Sequence, residues 1–404
     1  MQNFGWGPLD KAVGRVEAYA HSHAPQMPWL GAGVAFLWLA AGMALGPHYD
    51  YTPYMVQWAR IMAGYDPWLG DPTNAYGPGH VLLAPLFQLH RLLPKLLFLL
   101  SWIGAFLVVF VAARRDVVIG TFSFLVLFLT PFFFILVDIY GVEDTLVASL
   151  TLVAVDLRVR KGWSLLPAIL LMIAGFTKVY PLVLLPYLAT DRGIIDWRFA
   201  FCVLFVSAVA ALLTYVGWGS SVLYIFEFAS GRGSVMISIF NFLSKSDLSP
   251  LSAGQADFLL VWNTVIVIVV LAGFYALQYL AKMTALMGTT IAIIAMLAFY
   301  KVGNPQYCVC SGVLLVYLLA VEASKRPDLD RKLLLAAGGY FFMLNLFQGL
   351  FIFIKNYTPV SSFIGLPIFI ASVILLWQLV RYALFPLAVR NGAAAMPLSG
   401  ARES

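Results

Sequence analysis

Apolar runs long enough to cross a lipid bilayer recur along almost the whole chain, and they exclude most folds at once. A helix needs about 20 apolar residues to span a membrane. Runs near that length fall at 28–46, 95–113, 117–136, 142–157, 163–177, 179–189, 197–217, 257–279, 284–302, 306–322, 332–354 and 359–381, those at 142–157, 163–177 and 179–189 being the shortest. Of 404 residues, 62% are hydrophobic and 11% charged, where soluble domains carry about 25% charged residues. No soluble core could bury that much apolar surface. The pattern predicts an all-α polytopic membrane protein with about 12 transmembrane helices in one domain, 1–388, and a disordered cytoplasmic tail at 389–404.

The charges orient this arrangement. With the N-terminus inside, 17 Lys and Arg residues fall on the inner side and 8 on the outer side, the bias expected of a cytoplasmic inner face. The net charge of +6 is spread over the ends of apolar runs, which argues against a nucleic-acid partner and for contact with membrane lipids. Residues 1–27 are polar and show no cleavable signal. Cys202, Cys308 and Cys310 lie in apolar stretches, and Cys308-Val309-Cys310 lacks the two-residue spacer of common metal or redox pairs. The two long outer loops are 47–94 and 218–256. Neither an internal repeat nor an inverted pair of halves is visible, which weakens a transporter reading.

In the first loop, Tyr51, Tyr54, Met55, Trp58, Ile61, Met62 and Tyr65 repeat with a helical period, and Gln57 and Arg60 fall on the other face. Such a helix suits the membrane interface. Gly64 ends it, and Asp66-Pro67 starts a turn. A second apolar piece at 80–93, broken by Pro85, reads as another interfacial or re-entrant helix, with His80 and His90 interfacial. Asp50 stands where the first span meets this shelf.

Charge within membrane depth is costly and usually faces a cavity. Here the outer-side acids Asp50, Asp138, Glu143 and Asp144 accompany the bases Lys178, Arg232, Lys301 and Lys355. Acids alone would suggest cation binding. Acids facing bases suggest an acidic lipid substrate and a general base, since a phosphate calls for Lys or Arg and a hydroxyl nucleophile for a carboxylate. Each residue also has a simpler role open to it. Asp50 could cap the following helix, Glu143 and Asp144 could complement a helix dipole, and Lys178 and Lys355 could anchor span ends. Asp66 and Asp71 fit turns.

Six stretches in order, "HYDY", "AGYDPW", "YGPGHVLLAPL", "YGVEDTLVASL", "KVYPLVLLP" and "KVGNPQY", resemble the C-type (GT-C) superfamily of membrane glycosyltransferases. The likeness is to the catalytic subunit of GPI mannosyltransferase I and to bacterial polyprenyl-phosphate-mannose-dependent α-mannosyltransferases. It implies an inverting transfer of a sugar, mannose for this branch, from a polyprenyl-phosphate donor to a lipid-linked or glycan acceptor on the extracytoplasmic face of the cell membrane. It makes Asp50 the catalytic base, and it assigns donor binding to His48, Lys178, Tyr180, Arg232, Asp144, Lys301, Gln306 and Lys355. The eukaryotic branch carries Asp-x-Asp where this chain has His48-Tyr49-Asp50. A divalent metal is left without its two-carboxylate motif, and no cofactor is expected. The competing classes are a transporter or flippase of lipid-linked sugars, for which mid-span charges would be the signature, and a noncatalytic scaffold.

Overall fold

A computed structural model describes residues 27–48, 50–69, 76–113, 116–323, 331–354 and 357–394. The helices in chain order are α1 (Met27–Leu45), α2 (Tyr51–Met62), α3 (Pro78–Val81), α4 (Ala84–Leu89), α5 (Leu93–Ala113), α6 (Val117–Leu129), α7 (Pro131–Phe133), α8 (Asp144–Lys161), α9 (Leu165–Thr177), α10 (Leu185–Ala189), α11 (Trp197–Trp218), α12 (Tyr224–Gly231), α13 (Ile239–Lys245), α14 (Ala253–Val261), α15 (Asn263–Leu280), α16 (Ala285–Phe299), α17 (Cys308–Ala323), α18 (Arg331–Phe353) and α19 (Tyr357–Ala394). The strands are two residues each: β1 (Thr190–Asp191) pairs antiparallel with β2 (Ile194–Ile195), and β3 (Val235–Met236) pairs parallel with β4 (Val302–Gly303).

The protein is all-α and membrane-embedded. Among the described residues, six helices are long and apolar enough to cross a bilayer: Leu93–Ala113, Trp197–Phe228, Asn263–Leu280, Pro305–Ala323, Arg331–Phe353 and Ser362–Leu384. A seventh span would be the pair Val118–Leu129 and Pro131–Ile139, bent by 42° where Pro131 removes a backbone donor. Helix α17 is buried on every side and forms the middle of the main core, packed by α5, α8 and α16. Helix α8 is the polar exception among the inner helices. Its Ser149 and Thr151 hydroxyls donate to the carbonyls one turn back, and Asp156 at its far end binds Arg160 and the Tyr317 hydroxyl.

Several expected boundaries shift for physical reasons. The run 179–189 is a 3₁₀ turn, Tyr180–Leu184, followed by the five-residue α10, because Pro181 and Pro186 prevent one continuous helix. The run 257–279 is interrupted at Trp262, between α14 and α15. Apolar helix continues past 218 as far as Phe228, so the second long loop begins inside a span-length helix. The final helix reaches Ala394, six residues into the stretch expected to be disordered.

The first loop differs most. Helix α2 forms as the period predicts, but its aromatic face packs on protein. Tyr51, Tyr54 and Trp58 are fully buried with Leu83, Ala84, Leu92 and Phe98 from α4, α5 and their flanks. Gln57, assigned to the polar face, is buried too. The piece at 80–93 folds as α3, α4 and the start of α5, with Pro85 in the first turn of α4, where its missing N–H costs nothing.

Candidate functional site

A cavity of about 700 Å³ opens between the first loop, the start of the 3₁₀ turn after α9, α12, α15, the 300–307 segment and α18. Its wall carries the polar residues Asp50, Tyr76, Lys178, Arg232, Lys301 and Gln306 together with a larger share of apolar ones. From α15 come Thr264, Val267, Ile268 and Leu271, whose spacing places them on one helix face. The volume falls within the roughly 300–1,000 Å³ of small-molecule sites.

Asp50 occupies the cap position of α2, yet its side chain makes no capping hydrogen bond. The carboxylate faces the cavity instead. Burial pushes it above the ordinary carboxylate range; the Lys178 ammonium opposes this and the Asp144 charge adds to it. The turn that delivers Asp50 passes through Gly46 at φ +69, a conformation suited to glycine. Lys95 holds the turn from behind. Fully buried at the start of α5, its Nζ donates to Gly46 O at 2.8 Å and to Ile139 O at 3.4 Å. Its stem covers Gly141, itself at φ +59. One buried ammonium therefore ties the segment before Asp50 to the segment before Glu143 and Asp144.

Lys178 follows the last residue of α9 and is buried. Its Nζ donates to Asp144 Oδ2 at 2.5 Å and lies 5.0 Å from the centre of the Tyr76 ring and 5.5 Å from that of Tyr307. Asp144 opens α8, where an anion also suits the helix dipole. It stands behind Lys178, off the cavity wall.

The loop carrying Tyr76 reaches this lysine through glycines. Gly77 N donates to Thr177 O at 3.1 Å, and a Cβ on Gly77 or Gly79 would stand about 2 Å from Phe176 O or Thr177 Oγ1. No larger residue allows that approach. Arg232 and Lys301, far apart in sequence, come together through the β3–β4 pairing, in which Val235 faces Val302 and Met236 faces Gly303. The Arg232 guanidinium lies 5.5 Å from the Phe228 ring centre. Gln306 sits in the 3₁₀ turn Pro305–Tyr307. Compared with known proteins, the chain matches no family model and no curated protein.

Asp50, Lys178, Tyr180, Arg232, Lys301 and Gln306 thus share one cavity, with Asp144 bound to one of them. His48 does not join them; it is exposed and offers its carbonyl to Tyr51 N. Lys355 and Asp71 lie outside the described residues. Asp66 takes the turn role expected of it, accepting from Trp68 N and Leu69 N. Among the described residues no three His, Cys, Asp or Glu groups gather as a metal site would require. The residues that sequence reasoning missed are Tyr76, Tyr307, Asn304 and Gln348, all on the cavity wall, and His80, which is fully buried where an interfacial position was expected. "YGPGH" carried the available signal, two glycines flanking a proline between two rings.

Proposed function

We propose that the chain is an inverting glycosyltransferase of the GT-C type, with about 12 membrane-crossing segments counting short and broken ones. It moves a sugar, mannose as the first candidate, from a polyprenyl-phosphate donor to a lipid-linked or glycan acceptor on the outer membrane face. The observation that carries this reading is a single carboxylate, Asp50, sharing a largely apolar cavity with Lys178, Arg232 and Lys301. The apolar lining suits an isoprenoid chain and the cations suit its phosphate.

In this reading an Asp50 oxygen takes the proton from the acceptor hydroxyl. The freed electron pair bonds to the anomeric carbon, and the bond from that carbon to the phosphate oxygen breaks on the opposite side. That bonding pair leaves on the phosphate. Lys178, Arg232 and Lys301 stabilise the added charge, each contact contributing about 2–4 kcal/mol by analogy with oxyanion donors. The elevated proton affinity of Asp50 suits a base that must hold the proton it takes.

The test is to incubate the purified protein in lipid nanodiscs with a panel of polyprenyl-phosphate sugars and acceptor lipids, following products by mass spectrometry. A new α-glycoside is expected. Movement of the lipid-linked sugar across the bilayer without transfer would replace the enzyme by a flippase. Cysteines placed at the exposed positions Leu69 and Trp163 report sidedness; an impermeant reagent applied to whole cells is expected to label the first and not the second.

A further inference from the structure

Behind the cavity lies a buried acid–base pair that the transfer mechanism does not use. His80 Nδ1 and Glu143 Oε2 share a hydrogen bond of 3.1 Å, and both side chains are almost wholly shielded, at 1% and 0% exposed. The imidazole stacks on two rings, that of Trp58 at 5.1 Å and 24° and that of Tyr76 at 4.7 Å and 29°. Tyr54 closes the edge at 5.5 Å, and Trp58 Nε1 fixes the local backbone by donating to His80 O at 3.0 Å. Tyr76 in turn presents its ring to the Lys178 ammonium on the cavity wall. Trp58, His80, Tyr76, Lys178 and Tyr307 therefore form one unbroken chain of contacts.

Two consecutive residues at the start of α8 hold this chain of contacts: Glu143 binds His80, and Asp144 binds Lys178. A buried carboxylate is costly unless paired, and Glu143 has a second oxygen, Oε1, without a hydrogen-bond partner. A pair kept at that cost but off the cavity wall calls for a role exerted through its neighbours. We propose that Glu143 and His80 are positioning residues for phosphate binding. They fix the Tyr76 ring, and through it the place where the Lys178 ammonium meets a prenyl phosphate. The proposal rests on the reading above that Lys178 receives the donor phosphate.

The experiment measures binding of farnesyl phosphate and of farnesol, which lacks the phosphate, to the full-length protein in nanodiscs. The double variant H80F/E143L keeps an aromatic ring in the stack and removes both polar partners together, so no buried charge is stranded. Glu143→Gln, nearly the same shape, is the second variant should the first not fold. Expected is about a tenfold loss of farnesyl phosphate affinity, the scale at which groups behind a ligand-binding residue act, with farnesol binding unchanged. General damage to the cavity would weaken both ligands alike and overturn the proposal. A variant that still prefers the phosphate as strongly as wild type does would also overturn it. If the wild-type protein itself binds the two ligands equally, the phosphate-site reading fails first, a result distinct from failure of the positioning role alone.

Discussion

Replacing Asp50 by Asn tests the site at its centre. The two side chains have nearly the same shape, and Asn caps helices about as well as Asp, so a pure capping role predicts no change. The structure sharpens the contrast, because the Asp50 side chain makes no capping bond that could be lost. What Asn removes is the proton acceptor and the charge. Loss of a positioned general base costs on the order of 10²–10⁴ in rate, and kcat is expected to fall by that factor while donor affinity holds. Stability is expected to move the other way. Burial raises the folded-state pKa of Asp50 above its ordinary value, so its favourable contribution is present at low pH and lost as pH rises through the folded value. At neutral pH the variant should melt no lower than wild type, and its Tm should depend less on pH. For the same reason the wild-type rate should fall on acidification at a pH above the usual carboxylate range. Transfer rate and Tm, measured on the same preparations from pH 4 to about pH 8, decide the matter. A folded Asp50→Asn protein working within a few-fold of wild type would falsify the assignment and move it to another acid.

Lys178→Ala should be doubly harmful, because it strands Asp144 in the interior. Breaking a buried pair costs about 3–5 kcal/mol, so Tm should drop, and the double variant K178M/D144L should recover Tm but not donor binding; recovery of both would remove Lys178 from the site. Lys95→Met should release the turns carrying Asp50 and the α8 acids while keeping the packed stem. A kcat loss approaching 10²-fold, the scale of a 1 Å misplacement, is expected with donor KM little changed, and an unaltered kcat would show that Lys95 does not set the position of Asp50. Gly77→Ala places a methyl against the Phe176 carbonyl and should cost about 1–3 kcal/mol of stability as an overpacking change, read as a lowered Tm.

The charged residues were legible because the membrane makes them so. An acid or base inside an apolar run is expensive, and Lys178 and Asp144 could be singled out before any contact was known. Their mutual bond was not legible, since 34 residues separate them and only the packing of α8 beside α9 brings them together. The aromatic stripe of α2 reads as one buried face at Tyr51, Tyr54 and Trp58, whereas Met62 is exposed and Tyr65 lies exposed beyond the helix end. Periodicity identifies a face without naming what covers it, however, and the covering proved to be α4 and α5. Gln57 and His80 were placed outside on average behaviour, whereas the first is covered by its neighbours and the second by an acid 63 residues away. The run at 179–189 read as a span although Pro181 and Pro186 break it, because hydropathy does not register a lost backbone donor.

The pairing of β3 with β4 makes one mechanical part of two distant loops. Arg232 stands three residues before β3 and Lys301 immediately before β4, so a shift of either segment carries both cations with it. Side chains alternate faces along a strand, and a slip of one residue, about 3.3 Å, would turn them away from their present partners. The smallest slip that restores facing is two residues, about 6.6 Å. The backbone anchor points of these two charges are therefore tied to one another by strand register.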